Sequence, residues 1–132
     1  MAGGSGITPI FQTMVEIAGM KDEKIEMVLL YGNRSEEDIV LRKEIEALGD
    51  RVRVHYILDN PPPAWPHYKG YVTHEILKEI CPLDDPATVY IHVGPAPMNK
   101  FLRGLFHERY PHSVIFKYWS QRYQYPHYLH NC

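Results

Sequence analysis

Two glycine-rich segments have residue types that can hold an anionic ligand against bare backbone. In the first, Gly3-Gly4-Ser5-Gly6-Ile7-Thr8-Pro9, the glycines lead into a Thr-Pro pair. That pair predicts a helix capped by Thr8, with Pro9 in its first position. Backbone N–H groups and the helix dipole at such a site bind phosphate oxygens, and glycine permits their close approach. A tight turn without a ligand would use the same spacing.

The second segment is Gly94-Pro95-Ala96-Pro97-Met98, which directly follows the apolar run 87–93. Open α/β sheets bind ligands beyond the carboxyl ends of their strands, so this segment is a second candidate wall. The alternative is a helix that starts at the prolines and buries Met98 in the core. Two such loops on one sheet favour a ligand crevice more than either loop does alone.

Asp59 follows another apolar run, 52–58, and is the third candidate. A carboxylate at the end of such a strand can accept a hydrogen bond from a ribose hydroxyl and repel a 2′-phosphate. The alternative is a solvated turn residue before the prolines, which is the more common role of an aspartate.

Other reactive side chains give weaker patterns. The spacing of His127, His130 and Cys132 matches no common zinc site, so we expect no metal centre. Cys81, before Pro82 at a predicted helix end, has no sequence neighbour that marks it as a nucleophile. No Ser-His-Asp arrangement or carboxylate pair stands out, and we assign no catalytic residue.

The C-terminal segment 118–132 is rich in aromatic side chains that could stack on bases or pack at an interface. The chain has 14 Lys and Arg against 16 Asp and Glu, a net charge of −2. This balance excludes strong charge-driven binding to nucleic acid, so we expect no nucleic-acid partner. We favour packing or an interface for the aromatic residues, which include Tyr118, Trp119, Tyr123, Tyr125 and Tyr128.

The elements that must position these candidates alternate along a chain of 132 residues, the length of one domain. Helical spacing begins near Thr8, Ser35, Thr73 and Met98. Ser35 with Asp38 three positions later predicts an approximate capping box, and Thr73 could cap the third helix. Short apolar runs predict strands at 25–31, 52–58, 87–93 and 113–116, and the prolines exclude regular structure from 59–70. The order predicts an α/β fold with an open parallel sheet and helices on both faces.

One strand has almost no sequence to form it. A glycine-rich loop that opens a helix normally follows a strand at the centre of the sheet, yet only Met1 and Ala2 precede these glycines. Without that strand, runs 25–31 and 87–93 would each keep an unpaired edge. We therefore expect that the extreme N-terminus or the C-terminal segment fills the gap, that chains pair through it, or that the chain is marginally stable.

Taken together, the motifs resemble those of a known family. They are Gly3 to Pro9, Tyr31-Gly32-Asn33-Arg34-Ser35-Glu36-Glu37-Asp38-Ile39-Val40-Leu41-Arg42, Tyr56-Ile57-Leu58-Asp59, Gly70-Tyr71-Val72 and Gly94 to Met98. Over residues 2–117 the chain resembles the pyridine-nucleotide module of the ferredoxin–NADP reductase superfamily. It is most similar to that module in cytochrome b5 reductase and in nitrate reductase.

The resemblance implies a Rossmann-like NAD-binding domain over residues 1–117, followed by the aromatic tail 118–132. In the family, NADH passes a hydride to FAD, and the flavin then passes single electrons to a haem or iron–sulfur acceptor. A separate barrel module holds most of the FAD. By motif, the implied cofactor-binding residues are Gly3, Gly4, Ser5, Gly6, Thr8, Pro9, Asn33, Arg34, Asp59, Tyr71, Gly94, Pro95 and Met98.

Individual roles also follow from the resemblance. Gly4, Ser5, Gly6 and Thr8 would line the pyrophosphate and nicotinamide side. Asn33 and Arg34 would lie near the adenosine ribose and phosphate, while Tyr71 would flank the adenine. Asp59 would favour NADH over NADPH, and Gly94, Pro95 and Met98 would form the far wall.

Departures from the family pattern leave a second interpretation of the function open. Val93 stands where the family usually has a cysteine close to the nicotinamide ring, and the flavin barrel would lie before residue 1. These departures, with the aromatic tail, favour a non-catalytic nucleotide-binding or interaction module that retains the fold. No apolar run approaches the ~18–20 residues of a membrane span, and the N-terminus lacks the pattern of a secretory signal. We therefore expect a cytoplasmic domain.

Overall fold

Parallel strands form the centre of the structure, a computed structural model that describes residues 1–21, 24–81, 84, 86–112 and 114–117. Tail 118–132, with the histidines and aromatic residues discussed above, lies outside these residues. The strands are β1 (Ala2–Gly3), β2 (Met27–Asn33), β3 (Val52–Leu58), β4 (Tyr68–Lys69), β5 (Val89–His92) and β6 (Val114–Lys117). Strands β1-β2-β3-β4 form one sheet and β5-β6 another, and a bridge between Ala2 and Val93 joins them.

The helices alternate with the strands as expected for an α/β fold. They are α1 (Ile7–Gly19), α2 (Arg42–Glu46), α3 (His74–Ile80) and α4 (Ala96–Arg109). Short 3-10 turns cover Gly4–Gly6, Glu36–Asp38 and Gly49–Arg51. Thr73 caps α3 as its position predicts, because its hydroxyl accepts a hydrogen bond of 3.3 Å from the N–H of Ile76.

Residues Met1 to Gly3 fill the gap in the sheet, one of the three outcomes expected from the sequence. The N–H of Gly3 donates to Val93 O at 2.8 Å, and the N–H of Val93 donates to Met1 O at 3.0 Å. The α-amino group of Met1 donates to the carbonyl of Ile91, in the position of the next ladder bond. Strand β1 is therefore real but two residues long, and it joins the two halves of the sheet.

Three of the four expected strands differ from the expected ranges, and one matches. The strand expected at 113–116 is β6 at Val114–Lys117, and residue 113 lies outside the described residues. Strand β3 spans 52–58 as predicted. Strand β2 begins at Met27, not Ile25, and continues through Asn33, because all seven of its residues pair in register with β3. The side chain of Ile25 is 44% exposed. Strand β5 is shorter than the predicted run and ends at His92, so Val93 already belongs to the connection to α4.

The predicted cap of the first helix is wrong. The 3-10 turn Gly4–Gly6 leads directly into α1 at Ile7, so Gly6 occupies the N-cap position and Pro9 is the third helical residue. Thr8 is exposed inside the first turn. The glycines allow the backbone to enter the helix earlier than the Thr-Pro pair suggests.

The predicted second helix is broken. Ser35 and Asp38 do form the expected capping pair, with Ser35 N and Oγ at 3.0 and 2.8 Å from Asp38 Oδ2. Leu41 then adopts a left-handed conformation with φ 58°, and α2 begins only at Arg42. Because of this turn, Ile39 and Ile45 both reach the core.

Loop 59–70 contains a strand that the prolines were expected to exclude. Tyr68 and Lys69 pair with Ile57 and Leu58 to form β4. They follow the last proline of the segment, so their N–H groups are free to join the ladder. Trp65 is 6% exposed and donates from Nε1 to Tyr68 O at 3.0 Å, which anchors the preceding turn.

Two apolar clusters are packed in the domain. The first is formed mainly by α1, β2, β3 and the segment around α2, and it contains Ala2, Ile7, Ile10, Met14, Leu29, Tyr31, Ile39, Ile45, Val52, Tyr56, Leu58, Trp65 and Val93. The second is formed mainly by α3, α4 and β5, and it contains Leu30, Ile57, Leu77, Ile80, Tyr90, Leu102, Phe106 and Tyr110. Neighbouring residues of β2 and β3 divide between the clusters, as expected for a sheet covered on both faces.

Candidate functional site

The carboxyl ends of β1, β2, β3 and β5 meet at one edge of the sheet because the strands are parallel. The chain leaves this edge at Gly4, Arg34, Asp59 and Val93. Most of the residues singled out from the sequence therefore lie along one edge, as the sheet topology predicts for a ligand crevice.

The two glycine loops approach each other across this edge. A Cβ atom built on Gly3 would lie 3.3 Å from Gly94 Cα, 2.8 Å from Pro95 Cδ and 2.9 Å from Met98 Sδ. A Cβ on Gly94 would lie 2.7 Å from Met98 Cε. The absence of side chains at both positions is thus required for β1 to lie beside the Gly94 loop, with Met98 covering the junction.

The first loop presents bare backbone at the N-terminus of α1. Gly4 has φ +53°, a conformation that favours glycine, and a Cβ there would meet no atom of the described chain within 4 Å. Gly6, at the N-cap position, has no side chain to cap the helix, and the first turn from Ile7 to Ile10 is uncharged. The N–H groups and positive dipole end of α1 can therefore interact with an anion.

Tyr31 supports this loop from the core. Its hydroxyl donates to Gly4 O at 3.3 Å. The ring is fully buried, and burial raises the pKa of Tyr31, so the hydroxyl stays protonated and remains a donor.

Asn33 has a buried amide at the last residue of β2. It is 8% exposed, and neither Nδ2 nor Oδ1 has a partner in hydrogen-bond geometry among the described residues. The amide lies close enough to the Tyr31 hydroxyl to oppose, in part, the rise of that group's pKa. A buried amide without partners is costly, so Asn33 is suited to bind a polar ligand group at this edge.

Arg34 and Asp59 extend from the same edge as exposed side chains. The N–H of Asp59 donates to Asn33 O at 3.1 Å, and the N–H of Asn60 donates to Arg34 O at 2.8 Å. These bonds continue the β2–β3 ladder past the ends of the strands. The backbone at Arg34 and Asp59 is therefore held in place by hydrogen bonds.

Tyr71 lies at the end of the short strand β4. The N–H of Gly70, with φ +82°, donates to Leu58 O at 2.7 Å, and this bond returns the chain to the crevice edge. The Tyr71 ring is 77% exposed, so a flat ligand could stack on it.

Sequence reasoning missed two polar residues behind the Gly94 loop. His92 is 1% exposed, and its Nδ1 lies 2.9 Å from Asn99 Oδ1. Asn99 Nδ2 donates to Gly94 O at 2.6 Å. The available signal was a histidine inside an otherwise apolar strand, with an asparagine in the first turn of the next helix.

Metal binding and cysteine chemistry have little support in the described residues. Over the described residues, no group of three or more His, Cys, Asp and Glu side chains could hold a metal ion. Burial raises the pKa of the Cys81 thiol, which disfavours the thiolate needed for nucleophilic chemistry. No helix in the same part of the chain is long and apolar enough to cross a membrane.

Comparison with known families agrees with this geometry. Residues 1–104 match the oxidoreductase NAD-binding domain family, and the match includes both glycine loops and all the strands that form the crevice edge. The chain belongs to this family. The Asn33 amide has no partner in hydrogen-bond geometry among the described residues, the backbone at Gly4 is open, and α1 has no side-chain cap. A dinucleotide can bind to these groups.

Curated relatives of this NAD-binding domain include reductases whose names specify NADH. It is 43% identical over 109 residues to NADH-cytochrome b5 reductase 2 of Emericella nidulans, covering 79% of this chain and 34% of the relative. It is 39% identical over 105 residues to the NADH nitrate reductase of Ulva prolifera, covering 76% of this chain and 12% of the relative. The chain thus spans about a third or less of the relatives it matches.

Solved structures show the same fold. The cytochrome b5 reductase domain of Ulva prolifera nitrate reductase aligns with a TM-score of 0.75 and 36% identity, covering 87% of this chain and 46% of that one. The CS-b5R domains of human Ncb5or align with a TM-score of 0.72 at 22% identity, covering 89% and 35% of the two chains. The expected fold class, a parallel sheet with helices on both faces, is confirmed.

Proposed function

We propose that the crevice binds NADH in an extended form across the carboxyl edge of the sheet. The supporting observation is that bare backbone at Gly4 and the N-terminus of α1 lie beside the Gly94 loop. On the neighbouring strand, the Asn33 amide has no partner in hydrogen-bond geometry within the described part of the chain. The proposed binding residues are Gly3, Gly4, Ser5, Gly6, Thr8, Pro9, Asn33, Arg34, Asp59, Tyr71, Gly94, Pro95 and Met98.

The proposed orientation follows the charges along the edge. The pyrophosphate lies over the first glycine loop, where the dipole of α1 favours negative charge. The adenosine half lies toward Asn33, Arg34 and Tyr71, and Asp59 accepts a hydrogen bond from its ribose. The nicotinamide half lies against the wall formed by Gly94, Pro95 and Met98.

The proposed reaction is hydride transfer from NADH to FAD held by a flavin module outside these residues. A bound FAD would supply the hydride-accepting and one-electron-donating chemistry that links NADH to a haem or iron–sulfur acceptor. The residues of this chain bind the dinucleotide, orient its nicotinamide ring and exclude 2′-phosphorylated nucleotides. FAD, the flavin module and the acceptor are the partners this proposal requires.

Calorimetric titration of the chain with NADH, NADPH and ADP-ribose tests the binding step. We expect NADH and ADP-ribose to bind and NADPH to bind at least tenfold more weakly, which corresponds to about 1.4 kcal/mol. Absence of binding by all three ligands, in a chain shown by circular dichroism to be folded, would contradict the proposal.

A second candidate is a non-catalytic nucleotide-binding or interaction module. The observation that favours it is Val93, an apolar side chain 3% exposed at the position where the resemblance implies a cysteine. Ferricyanide reduction by NADH, with the flavin module of a cytochrome b5 reductase added in trans, separates the two. Activity that Val93→Cys increases supports the reductase, whereas nucleotide binding without turnover in both proteins supports the non-catalytic module.

A further inference from the structure

A series of polar contacts that starts at a buried histidine lies behind the wall that the Gly94 loop presents to the crevice. It runs from His92, the last residue of β5, through Asn99 in the first turns of α4 to the carbonyl of Gly94. Asn99 also donates from its backbone N–H to Pro95 O at 3.0 Å. One residue of α4 therefore binds both consecutive carbonyls of the wall.

The bonds of Asn99 determine which atom of His92 carries a proton. The Gly94 carbonyl can only accept, so the amide atom 2.6 Å from it is the donor Nδ2. The amide atom 2.9 Å from the imidazole is then Oδ1, which can only accept. His92 Nδ1 must therefore carry a hydrogen and donate it to Asn99.

The donor and the acceptor of each of these hydrogen bonds are therefore fixed, and the first donor is buried. His92 is 1% exposed, and its ring centroid lies 5.9 Å from that of Phe106 in the second apolar cluster. Packing on Phe106 and the Nδ1 hydrogen bond together restrict the imidazole, which in turn holds the Asn99 amide with Nδ2 toward Gly94. The Asn99 amide is half-buried, and with both ends bound it has one favourable orientation.

The hydrogen bond to the Gly94 carbonyl affects the shape of the wall, because Gly94 has little room to move. Its Cα lies 3.3 Å from the Cβ position of Gly3, and its own Cβ position is 2.9 Å from Met98 Sδ. Rotation of the Gly94–Pro95 peptide would change the distance between the two glycine loops. A bond to Asn99 fixes that peptide and leaves the Gly94 Cα, the Pro95 ring and Met98 to form the wall.

We propose that Asn99, oriented by His92, is a positioning residue for the nicotinamide half of the dinucleotide. This inference rests on the proposed function, because it assigns the Gly94 wall to that half. Asn99 acts through Gly94 and Pro95 and does not touch the ligand itself. Its loss should weaken ligands that carry the nicotinamide ring and spare those that lack it.

The experiment compares NAD⁺ with ADP-ribose, which has the same pyrophosphate and adenosine but no nicotinamide. We expect Asn99→Ala to weaken NAD⁺ binding about tenfold and to change ADP-ribose binding less than twofold, measured by calorimetry on the full chain. Arg103→Ala, an exposed position on the same helix, is the matched control and should change neither affinity.

A conservative variant tests the role of His92. The side-chain amide nitrogen of asparagine occupies nearly the position of a histidine Nδ1, so His92→Asn keeps a donor for Asn99, whereas His92→Leu removes it. We expect His92→Asn to retain most of the NAD⁺ affinity and His92→Leu to resemble Asn99→Ala. Equal affinity of the two His92 variants for NAD⁺ would overturn the directional role.

Hydrogen exchange gives a readout that needs no ligand. Asn99→Ala should increase exchange at the backbone N–H groups of Gly94, Ala96 and Met98 in the folded chain, and Arg103→Ala should not. Unchanged exchange, or equal loss of NAD⁺ and ADP-ribose affinity, would overturn the positioning role. Faster exchange in Asn99→Ala, together with no binding of either ligand by the unaltered protein, would have a different meaning. The hydrogen bonds from His92 through Asn99 would then hold the Gly94 loop, but the proposed function and the nicotinamide assignment would both be wrong.

Discussion

A Cβ atom on Gly6 would lie 2.2 Å from the carbonyl oxygen of Val93. Real Cβ atoms do not approach backbone oxygen this closely, so the turn that opens α1 packs directly on the connection between β5 and α4. This contact joins the two glycine loops of the crevice. The Val93 atoms nearest to Gly6 belong to the backbone. Rotation of a neighbouring side chain therefore cannot make room for a side chain at Gly6.

Gly6→Ala should therefore destabilise the domain by about 3 kcal/mol, as expected for overpacking against rigid backbone. Gly104→Ala is the matched control, since Gly104 is exposed inside α4 and its Cβ would meet no atom of the described chain within 4 Å. That variant should raise stability by about 0.5–1 kcal/mol through helix propensity. Urea unfolding followed by circular dichroism measures both, and equal effects would show that the Gly6 contact is relaxed in solution.

Asn33→Leu should separate stability from ligand binding. It replaces a buried amide that lacks partners in hydrogen-bond geometry, so the unfolding free energy should stay within about 1 kcal/mol or rise. Affinity for ADP-ribose should fall about tenfold if the amide binds the ligand, and calorimetry measures this. Asn60→Ala, at an exposed position, should leave both quantities unchanged. A large loss of stability with unaltered affinity would assign Asn33 to the fold alone.

Asp59→Ser should reduce the preference for NADH over NADPH, because it removes a carboxylate that repels the 2′-phosphate. The measured quantity is the ratio of the two affinities, which should fall at least severalfold. Asp50→Ser makes the same change of charge in the turn at the amino end of β3, on the opposite edge of the sheet. Asp50→Ser should leave the affinity ratio unchanged. If the ratio falls as much in Asp50→Ser as in Asp59→Ser, the cause is the net charge of the domain and not the position of Asp59.

In the 132-residue chain prepared by itself, the α-amino group of Met1 should make stability depend on pH. Burial lowers its pKa from 8.0 to about 5. Between these values the unfolded chain binds more protons than the folded chain, so this group makes stability rise as the pH increases from 5 to 8. Acetylation of the amino group removes the titration and should flatten the slope, measured as unfolding free energy at several pH values. A slope that acetylation does not change would assign the dependence to histidines.

Local patterns in the sequence were sufficient for the fold class. The predicted range of β3 matches the structure, and the cap at Thr73 and the Ser35–Asp38 pair form as their spacing predicts. Such features depend on a few neighbouring residues, whose propensities and hydrogen bonds act locally. The two glycine loops were also recognisable, because a helix start after glycines and a Gly-Pro after a strand are local signals.

Long-range contacts decided the rest. Only pairing with Tyr31 and Gly32, supported by the bridge to Val93, makes a strand of Ala2 and Gly3. Only pairing with Ile57 and Leu58 makes a strand of Tyr68 and Lys69 after the prolines. The early start of α1 and the left-handed turn at Leu41 likewise follow from how the chain packs on the sheet.

By itself, then, the sequence determined that an α/β domain presents two glycine loops suited to a dinucleotide. Tertiary structure decided how near those loops lie and what holds them. The 2.2 Å Cβ approach of Gly6 to Val93, the unpartnered Asn33 amide and the bonds from His92 through Asn99 to Gly94 all join different elements or depend on burial. Spacing along the chain carries no information about such contacts until the strands are in register.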